Sequence, residues 1–189
     1  ESLVVHLFEQ EFVRQKMDTV VTSKEVAEYY QLNDRNFELN DFIIKPLYFK
    51  IKKEDKLNRK AKYWYKLLDY DNDLDNLYKK ISVKAEVFYY DTTEWVFLKD
   101  IKSIIPVSFS NSTEFLKNKQ HYKITKGDFN YYLNVIDYKL KKSVSPLSLV
   151  REEIKNIILN QRRDKIREQL RFDLYEHAKK TGTIETYNH

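Results

Sequence analysis

The chain has no cysteine, two glycines, three prolines and one methionine among its 189 residues. Without cysteine there is no disulfide, no thiolate metal site and no cysteine nucleophile, and the redox compartment stays open. Phosphate-cradling loops and dinucleotide folds need glycines at defined spacings, which Gly127 and Gly182 cannot supply. No apolar run approaches the roughly 18 residues of a membrane-spanning helix. No signal peptide opens the sequence. Its first residue is Glu1 rather than Met, so a trimmed start is expected, any export signal being lost with it. Long charge runs are missing too. The net charge is +5, but lysines alternate with Asp and Glu throughout, so nucleic acid is not an expected partner.

Recognisable catalytic patterns are equally scarce. His6, His121, His177 and His189 have no partner three or four residues away to form a metal pair. Asp69, Asp71, Asp73 and Asp75 alternate as in a calcium loop, but lack its turn glycine and its closing glutamate. There is no Gly-x-Ser-x-Gly. No cofactor, no metal and no catalytic residue is expected.

What the chain does have is aromatic surface, with fifteen tyrosines and eleven phenylalanines. Tyrosine offers a rigid apolar face with one polar handle, which suits binding of extended polypeptide. A hydrophobic content of 42 % provides a core and argues against disorder.

Periodicity supplies the architecture. From Pro146, the residues Leu149, Val150, Ile154, Ile157, Ile158, Ile166, Leu170, Leu174 and Ala178 fall on one helical stripe, with Gly182 as a stop. Thr183–Tyr187 alternates like a short strand. Residues 2–17 form a second amphipathic helix, its stripe Leu3, Val4, Leu7, Phe8, Phe12 and Met17. The two stripes are expected to bury each other. Thr22-Ser23-Lys24-Glu25 is a capping box opening a helix over 23–32. Phe37 and Leu39 alternate as a strand. A further strand runs from Phe42 to Ile51, where Pro46 implies an edge position or a bulge. Helices over 54–69 and 73–88, a strand at 94–98, helical turns at 100–105 and 113–118, and a hairpin over 121–140 follow. The fold class is α+β. Segments 1–40 and 146–189 would make one helical module, flanking a small α+β domain with an antiparallel sheet over 41–145.

Two stretches resemble one family. Val21 to Tyr30 with Asn33 and Asn36-Phe37-Glu38-Leu39, and Pro146-Leu147 through Arg151-Glu152-Glu153-Ile154 to Leu174-Tyr175-Glu176-His177-Ala178 with Ile184-Glu185-Thr186-Tyr187, resemble the opening and closing segments of SurA- and PrsA-like exported chaperones and parvulin-type peptidyl-prolyl isomerases. The resemblance implies a chaperone module built from both chain ends around a parvulin-like domain. Working parvulins carry a histidine in the first strand and another in the last. Tyr48 and Tyr132 stand near those places here, and the family's glycine-rich segment is missing. That implies a degenerate parvulin-like domain without isomerase activity.

The expected function is that of a periplasmic or cell-envelope bacterial chaperone, holding unfolded exported or outer-membrane proteins without catalysis. An active prolyl isomerase is the alternative. Phe8, Phe12, Tyr29, Tyr30, Tyr48, Tyr131 and Tyr132 are the expected peptide-binding residues. A homodimer formed by exchange of the end helices would bury the same stripes.

Overall fold

The computed structural model describes residues 3–64, 74–91, 93–106, 111–118 and 121–183. In chain order they form α1 (Leu3–Lys16), α2 (Ser23–Asn33), a 3-10 turn (Asp34–Asn36), β1 (Ile43–Lys52), α3 (Asn58–Trp64), α4 (Leu74–Lys84), β2 (Val87–Tyr90), β3 (Val96–Phe97), α5 (Leu98–Ile104), α6 (Ser112–Asn118), β4 (His121–Lys126), β5 (Phe129–Lys139) and α7 (Leu147–Lys180). The chain is α+β, with helices at both ends and an antiparallel sheet between them in sequence. No helix among the described residues is long and apolar enough to cross a membrane. Two units separate: Glu1–Asp34 with Leu149–His189, and Arg35–Ser148.

In the sheet unit the strand order is β2-β1-β5-β4, with β3 also paired to β1. β1 is central, so Pro46 cannot lie on an edge strand. It sits instead where a missing N–H costs least. β3 covers β1 at Ile43 and Ile44, and β2 covers Leu47 to Lys50, so neither is in register with Pro46. On the other side the register with β5 slips between Lys45 and Pro46. That slip is the bulge proline requires in a central strand. Gly127 has φ +59° and opens the two-residue turn joining β4 to β5.

Both faces of the sheet are packed. One carries Ile44, Tyr48, Leu133 and Val135 against Leu98, Ile101 and Ile105 of the α5 segment and Phe115 and Leu116 of α6. The other carries Leu47, Phe49, Ile51 and Tyr132 against Ala61 of α3 and Ile81 of α4. Phe49 and Tyr132 stack there with centroids 4.7 Å apart. Asn58 pins the start of α3: its amide donates to the carbonyls of Lys52, Lys53 and Asp55, and its Oδ1 accepts from Asn130 Nδ2 and Tyr132 Oη. Phe37 and Leu39 form a short ladder with Ser143 and Ser145 rather than a strand of the main sheet.

Three expected elements change. The helix expected over 73–88 ends at Lys84, and Val87–Tyr90 is a strand. There the aromatic and β-branched preference of Val-Phe-Tyr-Tyr overrides a helical period that happened to reach Phe88. The strand expected over 94–98 yields to α5 at Leu98, whose N–H bonds to the carbonyl of Phe42. Residues 53–57 are turns rather than the start of a helix. The Asp69–Asp73 run and the strand expected near 183–187 lie outside the described residues, apart from Thr183.

In the helical unit, α2 carries a complete capping box. Thr22 Oγ1 accepts from Glu25 N at 3.2 Å, and the Glu25 carboxylate accepts from Thr22 N at 2.8 Å. α7 is a single helix of 34 residues. It ends in a Schellman motif, with Thr183 N on Ala178 O, Gly182 N on Lys179 O, and Gly182 at φ +68°.

Candidate functional site

The helical unit departs from expectation at α1. The apolar stripe expected to be buried is bare: Leu3, Val4, Leu7 and Phe8 are each more than half exposed, and Val5 nearly so. The residues α1 buries are Glu9 and Val13. Glu9 is the reason. Its carboxylate receives both arms of the Arg171 guanidinium, at 2.9 and 3.4 Å, and that pair turns the face carrying Glu9 and Val13 inward. Arg171 and its neighbour Arg167 hold the Glu9 carboxyl below its ordinary pKa, the Arg171 hydrogen bond contributing most.

A second arginine ties the other end. Arg162 donates to the carbonyls of Asp18 at 2.9 Å and Val20 at 2.8 Å, and pairs with Glu25. Residue 9 meets 171 and residue 18 meets 162, so the segment opening with α1 runs antiparallel to this part of α7. Phe8 therefore lies at the level of Phe172, and Val5 at that of Tyr175. Phe172, Leu174 and Tyr175 are exposed as well, although Leu174 was expected on the buried stripe. The free end of this helix pair is thus an uncovered apolar surface. Phe12 is half-buried with its ring 6.3 Å from Phe8, and Tyr29 and Tyr30 are half-buried on α2.

The sheet unit separates the residues expected in it. Tyr48 faces the α5 and α6 side and pairs across the strands with Leu133, while Tyr132 pairs with Phe49 and faces the α3 and α4 side. Side chains alternate along a strand, so the two tyrosines point to opposite faces. Tyr132 has no exposed surface, which leaves nothing for a peptide to touch. Tyr131 does share a face with Tyr48, and the two line a small cleft with Lys50, Val87, Ile104 and Ile105.

Beyond that cleft the same face is open. Lys52, Phe129 and Lys126 lie in register across three strands, and Lys50, Tyr131 and Ile124 form the next row. Lys50 Nζ stands 3.8 Å above the Phe129 ring and 3.1 Å from Glu86. Reasoning from sequence missed Lys50, Lys52, Lys126 and Phe129. The alternation of Lys50 and Lys52 was visible, but only the register of β4 with β5 shows that Lys126 joins them.

Burial pushes the Tyr48 phenol up. Burial and a 2.9 Å hydrogen bond to Glu94 push Tyr89 up to about 12. The two rings stack at 5.3 Å. At neutral pH they are protonated, and the lysines beside them attract anions.

No family model matches the chain, and no curated protein matches it. Among solved structures it is similar to a chain from the study of two structurally related SurA-like chaperones of Campylobacter jejuni, a virulence factor and a periplasmic protein. The identity is 13 %, the TM-score 0.35, and the match covers 98 % of this chain and 70 % of that one. A likeness of that strength carries no argument.

Proposed function

We propose that the chain is a SurA-like holding chaperone of the bacterial cell envelope, one that binds extended stretches of unfolded exported or outer-membrane polypeptide without catalysis. In this reading the end segments 1–40 and 146–189 are the chaperone module, and 41–145 is a parvulin-like domain whose isomerase chemistry has been lost. The observation that carries it is the bare apolar surface of α1, where Leu3, Val4, Val5, Leu7 and Phe8 stand uncovered. Contiguous exposed apolar side chains mark an interaction surface, and they suit a partner that is itself extended and apolar. Phe12, Tyr29 and Tyr30 would extend that contact, and Tyr131 would supply one in the sheet unit, whereas Tyr48, like Tyr132, is buried in the core. Weak contacts spread over several places give useful avidity for long clients. A second copy exchanging its end helices would cover the same α1 surface.

The test is the aggregation of an unfolded β-barrel with the chain at stoichiometric ratio. Delay is expected, and the double substitution Leu7→Ser, Phe8→Ser should abolish most of it without unfolding the chain, because both side chains are exposed. An unchanged aggregation rate with the parent protein would sink the reading. A proline-limited refolding assay addresses the alternative, since uncatalysed isomerisation takes tens of seconds. No acceleration is expected, and a clear acceleration would make the chain an isomerase.

A further inference from the structure

We propose that the open part of the sheet face is an acid-reading subsite. It would take a stretch of extended polypeptide in which an aromatic or aliphatic residue stands two positions from a carboxylate. The proposal rests on the polypeptide-binding reading above and names the class of sequence the sheet unit would select.

Three observations meet at this place. The first is shape. α5 and α6 cover the face from Ile44 and Val135 to Tyr48 and Leu133. Past them the face carries Phe129, Tyr131 and Ile124, all half-buried, with exposed Ile104 as a side wall. A flat apolar floor with one raised side accepts an extended chain lying across it. The second is charge. Lys50, Lys52 and Lys126 rim this floor, and the register puts Lys52 and Lys126 on either side of Phe129. Their acidic neighbour is Glu86, 3.1 Å from Lys50 and 4.0 Å from Lys52. With Asp128 in the adjoining turn, three lysines stand against two acids and the rim stays cationic. The third is the coupling of the two: Lys50 lies over the Phe129 ring, so cation and aromatic floor form one surface rather than neighbouring patches.

A side chain lying on Phe129 and Tyr131 puts the residue two positions along an extended chain on the same side, above the margin of the floor. A carboxylate there comes within reach of Lys52 or Lys126. An apolar residue alone gains the floor, an acid alone gains a screened surface ion pair, and the combination gains both. Glu86 already does in cis part of what the client carboxylate would do, and it competes for Lys50 and Lys52.

The experiment is fluorescence anisotropy on the full chain with two labelled twelve-residue peptides. They are identical apart from one residue two positions from a central Phe, which is Asp in one and Asn in the other. The Asp peptide should bind about three- to tenfold more tightly at low salt, the size expected for one or two exposed ion pairs, and the preference should shrink at high salt. The double substitution Lys52→Gln, Lys126→Gln should remove the preference, bringing the Asp peptide down to the affinity of the Asn peptide. Both side chains are exposed, so the fold should hold. Phe129→Ser should weaken both peptides. Glu86→Gln should strengthen the Asp peptide, a gain that mere damage to the sheet would not produce. Equal affinities for the two peptides, unmoved by the lysine changes, would overturn the subsite while leaving the holding reading to its aggregation assay. Delayed aggregation with no peptide binding at all would overturn it equally. Preference for a single-stranded oligonucleotide over both peptides would also overturn it, and would reassign the lysines to phosphate.

Discussion

The two units of this chain solve the burial problem differently. In the sheet unit, strands β1 and β5 are covered on both faces except at the end that carries Lys52 and Phe129, and Ile43, Ile44, Leu47, Phe49, Ile51, Leu133 and Tyr132 have at most 2 % of their surface exposed. Among the described residues of the helical unit the buried apolar side chains are Val13, Val26, Val150, Ile154, Ile158 and Leu170, and none of these is aromatic. What joins its three helices is in large part polar: Arg171 on Glu9, and Arg162 on Asp18, Val20 and Glu25. A thick core with aromatic stacking gives rigidity. A thin core with arginine ties gives a body of lower local stability, the place from which moving and binding elements are drawn. The difference teaches where to look for a holding surface, and the bare helix α1 belongs to the thinner body.

The sharpest break in this contrast is Phe49→Ala. Phe49 is fully buried and stacked on Tyr132, and removing such a ring from a core costs about 3–5 kcal/mol. Denaturant titration should show the sheet unit losing most of its stability. Hydrogen exchange should show deprotection across β1 and β5 before any in α7. Equal deprotection everywhere would mean the two units unfold as one.

The next effect is in the helical unit. Arg162→Ala removes two N–H donors from the carbonyls of Asp18 and Val20, and hydrogen bonds from charged donors are worth about 1–3 kcal/mol. Exchange should rise in α1 and α2 while β1 and β5 keep their protection. If the sheet unit responds as strongly, the polar ties are not local to the helical unit and the comparison fails.

These same features mark what the sequence could disclose. The helix periods of α1, α2 and α7, the capping box at Thr22 and Glu25, the stop at Gly182 and the hairpin through Gly127 were all legible, because each rests on neighbours within five residues. The bareness of α1 was not. Its stripe reads as a buried face, and only the pairing of Glu9 with Arg171, 162 positions away, shows that another face turns inward. Tyr48 and Tyr132 look equivalent in sequence, yet the register that sends them to opposite faces depends on a bulge beside Pro46. The basic rim escaped for the same reason: Lys52 and Lys126 become neighbours through Phe129, which no spacing along the chain reveals. Acid pairs and strand registers are long-range facts, whereas caps and turns are local ones.

A smaller effect tests the local part. Thr22→Ala deletes the capping acceptor of α2 and should cost about 1 kcal/mol. It should also release the Glu25 carboxyl part of the way upward, because the Thr22 hydroxyl that donates to it is lost while the Thr22 backbone N–H, the leading cause of its depression, and Arg162 both remain. The readout is a melting shift in the helical unit alongside carboxyl titration by NMR. An unchanged Glu25 pKa would mean that the backbone N–H and Arg162 hold it without help from the hydroxyl.

The least effect is a slope in acid. Glu9 and Glu25 have folded-state pKa values below the ordinary carboxylate value, Glu9 through its Arg171 hydrogen bond first. Glu11, held by Arg14 and Gln15, lies at about 2. As pH falls, the unfolded chain takes up these protons first, at about 4.3. The stabilisation is therefore fully present above that value and declines as pH falls through it. It is gone below the depressed folded-state values, the Glu11 limb closing near 2. Acid titration followed by hydrogen exchange should deprotect α1 and α2 before β1 and β5. Glu9→Gln with Glu25→Gln should flatten the slope in the helical unit alone, because the groups that depress those carboxylates, Arg171, Arg167 and His6 for Glu9 and Thr22 and Arg162 for Glu25, all lie in that unit. A slope left intact by that double change would place the acid sensitivity at Glu11 on α1 or in the sheet unit, where hydrogen bonds from Thr93 hold the Asp91 carboxyl below its ordinary range; deprotection of β1 and β5 ahead of α1 would point to the sheet unit.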